Sequence, residues 1–89
     1  MRKLHYSTAA KKDLKRYRNN PRKMKALFEI LQYLLNDVTL PANYLRHRLV
    51  GQYAGCWECH IENDFLLIWI DDDAEVIDIV RIGTHSELF

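Results

Sequence analysis

Three glycines and two prolines in 89 residues leave no room for a flexible linker or a low-complexity segment. Two cysteines are too few for the disulfide framework of a small secreted domain. The longest uninterrupted apolar run is Phe65–Ile70, far short of the roughly 20 residues of a membrane-crossing helix. The opening residues Met1-Arg2-Lys3-Leu4-His5-Tyr6 contain no apolar stretch of the secretory kind. A reducing, cytoplasmic setting is therefore expected, with no membrane partner. There is no internal repeat and almost no net charge, the formal balance being +1.

That near-neutral total conceals a strong asymmetry. Residues 1–48 carry twelve of the thirteen Lys/Arg and three of the twelve acids, a balance of +9. Residues 49–89 carry Arg81 and nine acids, a balance of −8. Such a division suits one face tuned for an anionic partner, although helices and hairpins also draw different charges for their own reasons. At 48% hydrophobic and 28% charged, residues 1–89 read as one small soluble domain with a single modest core.

Lys3-Leu4-His5-Tyr6 alternates polar and apolar, as a short strand does. Ser7 stands at an N-cap, and Ala10, Leu14 and Tyr17 form the apolar stripe of a helix otherwise covered by Lys and Arg. Asn20-Pro21 starts a second helix, whose stripe of Met24, Leu27, Phe28, Leu31, Leu34 and Leu35 runs to Asn36. Asp37 to Gly55 is expected to be irregular. Three strands follow: Trp57–Ile61, Phe65–Ile70 and Glu75–Ile82. In the first, Trp57, Cys59 and Ile61 share one face and Glu58 and His60 the other; the second is apolar throughout, as a strand covered on both faces would be. Thr84–Phe89 closes the chain. The expected fold is α+β, a two-layer β-α-α-β-β-β domain with an antiparallel sheet and both helices on one face.

Among motifs that carry chemistry, Cys56-Trp57-Glu58-Cys59-His60 is the sharpest literal match, to the C-x-x-C-H of c-type haem attachment. It lies in a strand-like alternation and no later Met is available as an axial ligand, since the only two are Met1 and Met24. A zinc site is equally poor, because cysteines three apart in a strand point to opposite faces and no second ligand pair exists. Cys59 is expected in the core and Cys56 half-exposed. Asp71-Asp72-Asp73 reads as a solvated turn rather than a magnesium site.

The four histidines suit another chemistry. His5 reads as a surface residue, His47 lies between Arg46 and Arg48, His60 follows Glu58 on one strand face, and His85 comes just after the last strand near Arg81 and Phe89. Imidazoles from a loop, a sheet face and a strand end can meet over one surface. Cleavage of RNA needs a base for the ribose 2′-OH and an acid for the departing 5′-oxygen. Histidine serves both because its unperturbed pKa of ~6.5 lies near working pH. Arg81 can stabilise charge developing on the phosphate, and the 2′-OH limits such a site to RNA. No cofactor is implied. The basic half, extended by Arg22, Lys23 and Lys25, fits a nucleic-acid backbone.

These residues carry a resemblance. Leu49-x-Gly51, the run from Gly55 through His60-Ile61-Glu62-Asn63-Asp64-Phe65-Leu66-Leu67-Ile68-Trp69, and Arg81-Ile82-Gly83-Thr84-His85-Ser86-Glu87-Leu88-Phe89 resemble the YafQ branch of the RelE/ParE toxin superfamily. Length and element order match along the whole chain. The resemblance implies the toxin of a type II toxin–antitoxin system, a ribosome-dependent, metal-independent endoribonuclease that cuts mRNA and is neutralised by a cognate antitoxin. It implies catalytic roles for His47, His60, Asp64 and His85, with His85 the acid and either His47 or His60 the base, the latter oriented by Asp64. Arg81, Phe89, Arg46, Arg48 and Glu58 are implied as substrate-binding. Five positions depart from the family pattern: Arg48 for a proline, Trp57 for an arginine, Asn63 for a proline, Phe65 for a tryptophan and Trp69 for a tyrosine. A ParE-like toxin acting on gyrase would share the fold without needing the histidines. A non-catalytic RNA- or protein-binding domain would use only the basic helices.

Overall fold

The computed structural model describes residues 1–89, and its first turn is fixed by one side chain. The N–H of Ser7 donates to the Ile79 carbonyl (2.9 Å), its hydroxyl donates to the Val80 carbonyl (2.7 Å), and the same oxygen accepts from the Ala10 N–H (2.9 Å). Strand β1 (Lys3–Tyr6) therefore passes directly into helix α1 (Thr8–Tyr17). Helix α2 (Pro21–Leu35) starts as expected, with the Asn20 side chain accepting from the Lys23 N–H and Pro21 in the first turn. It buries Leu27, Ile30, Leu31 and Leu34, whereas Phe28, expected in the stripe, is half exposed and Ile30 takes its place.

Beyond α2 come a single 3-10 turn (Ala42–Tyr44), strand β2 (His47–Arg48), a second 3-10 turn (Gly51–Tyr53), and strands β3 (Trp57–Glu62), β4 (Phe65–Ile70) and β5 (Val76–Gly83). A last turn of helix, α3 (His85–Leu88), ends the chain. The stretch expected to be irregular thus contributes an edge strand. Gly51 and Gly55 supply the positive φ values (75° and 89°) at which its chain reverses.

The sheet order is β1-β5-β4-β3-β2. Strands β2 to β5 are antiparallel neighbours, but β1 lies parallel to β5, Lys3 opposite Val76 and Tyr6 opposite Ile79. The antiparallel expectation is thereby corrected to a mixed sheet. Short hairpin turns dictate the sense of β3, β4 and β5 only. Strand β1 is joined to its neighbour β5 through two helices and three strands, a connection long enough to leave its direction free.

The main core lies between the helices and one sheet face, where Cys59, Phe65, Leu67, Trp69, Ile77, Ile79 and Ile82 meet Ala10, Leu27, Ile30, Leu31 and Leu34. The other face carries a smaller cluster of Cys56, Leu66, Ile68 and Leu88, bordered by Tyr53 and Val80. Strand β4 is therefore covered on both sides, as its continuous apolar run requires. Cys56 belongs to the second cluster and is buried, not half-exposed. A bulge in β5, where Trp69 pairs with Ile79 and Ile68 with Arg81, leaves Val80 as the extra residue and turns Arg81 toward this second face. No helix is long and apolar enough to cross a membrane.

Candidate active site

The face away from the helices collects the histidines. His47 and Glu58 are register partners across β2 and β3, so their side chains lie side by side. Nε2 of His47 is 3.1 Å from Oε1 of Glu58, and its Nδ1 is 2.8 Å from the Leu45 carbonyl. A carbonyl only accepts, so the contact with Leu45 assigns a proton to Nδ1, and Nε2 faces the buried carboxylate. Oε2 of Glu58 is buried without a partner.

His60 lies two residues beyond Glu58 and so shares its face; its ring centroid is 6.4 Å from that of His47. Its Nδ1 is 3.3 Å from the Asn63 carbonyl. That contact assigns the Nδ1–H tautomer and leaves the Nε2 lone pair without a protein partner.

Asp64, in the β3–β4 turn, does not orient His60. Its Oδ1 accepts the backbone N–H of His85 at 2.8 Å, pinning the first residue of α3 to that turn. The rest of α3 is fixed by a capping box: Thr84 accepts from the Glu87 N–H, and Glu87 Oε1 accepts from the Thr84 N–H at 2.8 Å. Gly83 leaves room for this arrangement: a Cβ there would stand 2.8 Å from Glu87 Oε1 and push that carboxylate out of place. The His85 and Phe89 rings stack at 4.8 Å, and Phe89 meets Tyr53 edge-on at 5.4 Å.

Arg81 is held rather than free. Its Nε and one terminal nitrogen donate to the two oxygens of Asp13 at 2.9 and 3.2 Å, and its other terminal nitrogen is 3.5 Å from the Tyr53 hydroxyl. Asp13 is 1% exposed and also accepts the Ile82 N–H at 2.9 Å. Strand β1 stops pairing at Ile79, so α1 takes over the open edge of β5 with this one carboxylate. The hydrogen bond from Arg81 to Asp13 raises the guanidinium pKa further, against burial that lowers it. Tyr53 in turn donates to the Leu88 carbonyl (3.0 Å).

A second tether joins α1 to α3. The Tyr17 hydroxyl donates to Oε1 of Glu87, and Arg16 reaches Oε2 of the same residue at 3.1 Å and Asp13 at 3.4 Å. Burial alone would raise the Glu87 carboxyl, but the Thr84 N–H, the Tyr17 hydroxyl and the Arg16 charge outweigh it and hold the carboxyl below its ordinary value. Tyr17 is pushed up to about 12, first by burial and then by its bond to Glu87. Neither Asp13 nor Tyr17 was identifiable as a site residue from pattern. The signal for Asp13 was its isolation as the one acid in a helix of Lys and Arg, and that for Glu87 was Thr84-x-x-Glu87, a capping-box signature.

Two candidates fall elsewhere. Arg46 and Arg48 alternate with His47 and point to the opposite side of β2, where both guanidiniums lie over Trp57, at 4.5 and 4.8 Å from its ring centroid. They do not line the histidine face. Cys56 and Cys59 also lie in different clusters on opposite faces, so one haem cannot bridge them. Burial, and then the charge of Glu58, pushes the Cys59 thiol up to about 12. No three His, Cys, Asp or Glu side chains converge as a metal would need. His5 is on the surface, paired with Asp78 at 3.0 Å.

A mixed sheet with its helices on one face is the fold of small bacterial toxins, shared with YafQ of E. coli at 31% identity and, as a fold alone, with a YoeB/ParE toxin of Agrobacterium tumefaciens at 14%. The YafQ model, described as bacterial toxin of type II toxin–antitoxin system, matches residues 2–89. The chain belongs to this YafQ family and is the toxin of a type II toxin–antitoxin system. It is 34% identical over 89 residues to the mRNA interferase toxin YafQ of Escherichia coli K12, covering 99% of this chain and 96% of that one. The E. coli DinJ–YafQ complex superposes with a TM-score of 0.86 at 31% identity, over 100% of this chain and 99% of the other. A metal-bound toxin from Helicobacter pylori does so with 0.87 at 33% identity, over the full length of both.

Proposed function

We propose that this toxin cleaves mRNA on the ribosome, in the cytoplasm, by acid–base catalysis through 2′-OH attack, and that a cognate antitoxin neutralises it. The observation that carries the reading is the Asp64–His85 hydrogen bond, because it ties the turn following His60 to the helical turn bearing His85. The backbone of His85 is thereby tied to the turn that follows the strand bearing His60, and Arg81 lies on β5, which leads into His85.

In this reading His60 is the base. Its Nδ1–H is spent on the Asn63 carbonyl, so Nε2 is the lone pair that takes the 2′-OH proton. His47 has both nitrogens engaged and acts with Glu58 as a charged neighbour, not as the base. The 2′-oxygen forms a bond to phosphorus as the bond to the 5′-oxygen breaks, and His85 protonates that leaving oxygen. The products are a 2′,3′-cyclic phosphate and a 5′-hydroxyl. Arg81, pre-aimed by Asp13, stabilises the non-bridging oxygens, and Phe89 offers its exposed ring to a base. No step of this scheme uses a metal.

The test uses a programmed ribosome carrying mRNA with a single 2′-deoxy nucleotide at the cut site. Wild-type protein is expected to leave that mRNA intact while cutting the all-ribose control, and His85→Ala to cut neither. Cleavage of the deoxy substrate overturns the mechanism. A DNA-damage response on induction, with translation and mRNA unaffected, favours the gyrase-directed alternative.

A further inference from the structure

The side of β2 opposite His47 carries a charge cluster that the proposed chemistry does not use. Arg46 and Arg48 both lie within 5 Å of the Trp57 ring centroid, at 4.5 and 4.8 Å. Five of the thirteen Lys and Arg, namely Arg2, Arg16, Arg22, Lys23 and Arg81, have a carboxylate within 4.0 Å; Arg46 and Arg48 are among those that do not, and they are the two that share one aromatic ring. The nearby Asp71 and Asp37 are taken by Arg2, at 2.5 and 3.4 Å. The two like charges therefore sit within about one Debye length of each other, ~10 Å at 0.1 M salt, with no carboxylate in ion-pair contact with either. The free protein holds them together at a cost that an anion would relieve.

The arrangement is also rigid. Trp57 packs against the main core and pairs with Arg48 in the β2–β3 register, so the indole is a fixed platform. A guanidinium lying over an aromatic ring keeps its in-plane N–H donors free for oxygens, and the stack limits the entropy lost on binding. Planar, forked donors in adjacent pairs match phosphate oxygens.

We infer that the Arg46–Trp57–Arg48 stack is a second RNA-contacting surface, which grips the phosphate backbone of ribosomal RNA while the histidine face holds the message. This rests on the reading that the toxin cuts on the ribosome. Strand β2 is two residues long, so its opposite sides are a single strand's thickness apart. One RNA strand occupies the histidine side, and the strand met on the other side belongs to the ribosome. Charge complementarity favours a polyphosphate over an apolar protein surface here.

The test measures binding of His85→Ala toxin, which keeps RNA intact, to 70S ribosomes across a salt series. The background is compared with the same protein carrying Arg46→Ala and Arg48→Ala, and with Arg46→Lys and Arg48→Lys. The double alanine variant is expected to lose about two units of the log–log salt slope, one per phosphate contact. Between 50 and 200 mM salt its affinity then falls about tenfold less than that of the parent. The lysine pair is expected to keep the slope and bind more weakly, because charge is retained and the fork is lost. Circular dichroism and melting establish that each variant is folded. An unchanged slope in the folded alanine variant overturns the inference, as does weakened antitoxin binding with ribosome binding intact. Failure of wild-type protein to cut mRNA on the same ribosomes sinks the catalytic reading instead.

Discussion

The carboxylate of Asp64 accepts the backbone N–H of His85 at 2.8 Å, across 21 residues of chain. The bond places the proposed acid by its main chain, while its imidazole rests against the Phe89 ring. This predicts a contrast between two substitutions. Asp64→Asn keeps an oxygen that can accept the same N–H and is expected to retain most activity. Asp64→Ala frees the start of α3 and is expected to slow cleavage by about 10²-fold, the scale of a misplaced catalytic group. Single-turnover rates on programmed ribosomes check it. Equal loss in both variants would mean that the charge of Asp64, rather than its acceptor geometry, is what matters.

Asp13 predicts a stability effect. Asp13→Ala would leave Arg81 without its partner and the Ile82 N–H without an acceptor, in a setting 1% exposed. Removing one member of such a pair typically costs about 3 kcal/mol or more. For a chain of this size that is a fall in Tm on the order of 12 °C or more. Urea and thermal unfolding read it directly. A loss under about 1 kcal/mol would show that water takes the place of the carboxylate.

The Glu87–Tyr17 tether predicts opposite failures in acid and base. Glu87 is held below its ordinary value of 4.5, so its contribution is complete above that pH and is lost as pH falls below it. Tyr17 is raised from 10.0 to about 12, so its contribution is complete below pH 10.0 and fades as pH climbs toward 12. Glu87→Gln is expected to flatten the acid limb of a Tm-against-pH curve, and Tyr17→Phe the alkaline limb. A Tyr17→Phe curve that parallels wild type above pH 10.0 would exclude the phenol as the alkaline trigger.

Both cysteine thiols are pushed up by burial, Cys59 to about 12. Little thiolate exists at neutral pH, so neither is expected to react with a disulfide reagent such as DTNB in the native protein. Both are expected to react on unfolding in guanidinium chloride. Rapid native labelling of Cys59 would show that the β3 face opens to solvent.

Local chemistry made much of the fold legible. Asn20-Pro21 marks the start of α2, the alternation from Trp57 to Ile61 separates two faces, and the unbroken run of Phe65–Ile70 marks a strand covered on both sides. What could not be read depends on partners far along the chain. The direction of β1 depends on β5, more than seventy positions later, and no residue near Lys3 encodes it. The pairing of Asp13 with Arg81 spans 68 residues. Phe28 obeys the helical period yet stays half exposed, because the period gives a stripe and not what covers it.

Similar reasoning applies to the site. Its members on β3 and at the chain end follow from pattern and resemblance, because they sit in regular elements or beside them. Arg46 and Arg48 do not. Their side follows from the alternation of a two-residue strand, and that strand was invisible in a stretch broken by Pro41 and Gly51. Two of the departures from the family pattern, Arg48 and Trp57, prove to be cross-strand partners, so each makes structural sense only in the other's presence.

The position of β5 bears on when the protein becomes active during its own synthesis. This strand is the last made, yet it lies inside the sheet between β1 and β4, and it receives α1 through Ile79, Val80 and Ile82. Until residues 76–83 leave the ribosomal tunnel, β1 has no strand to pair with and Asp13 lacks both Arg81 and the Ile82 N–H. Such non-local closure makes folding a single late event. Arg81 and His85 emerge in the same stretch, so a nascent chain cut short before them has neither the finished sheet nor the two side chains to which the proposed chemistry assigns charge stabilisation and the acid.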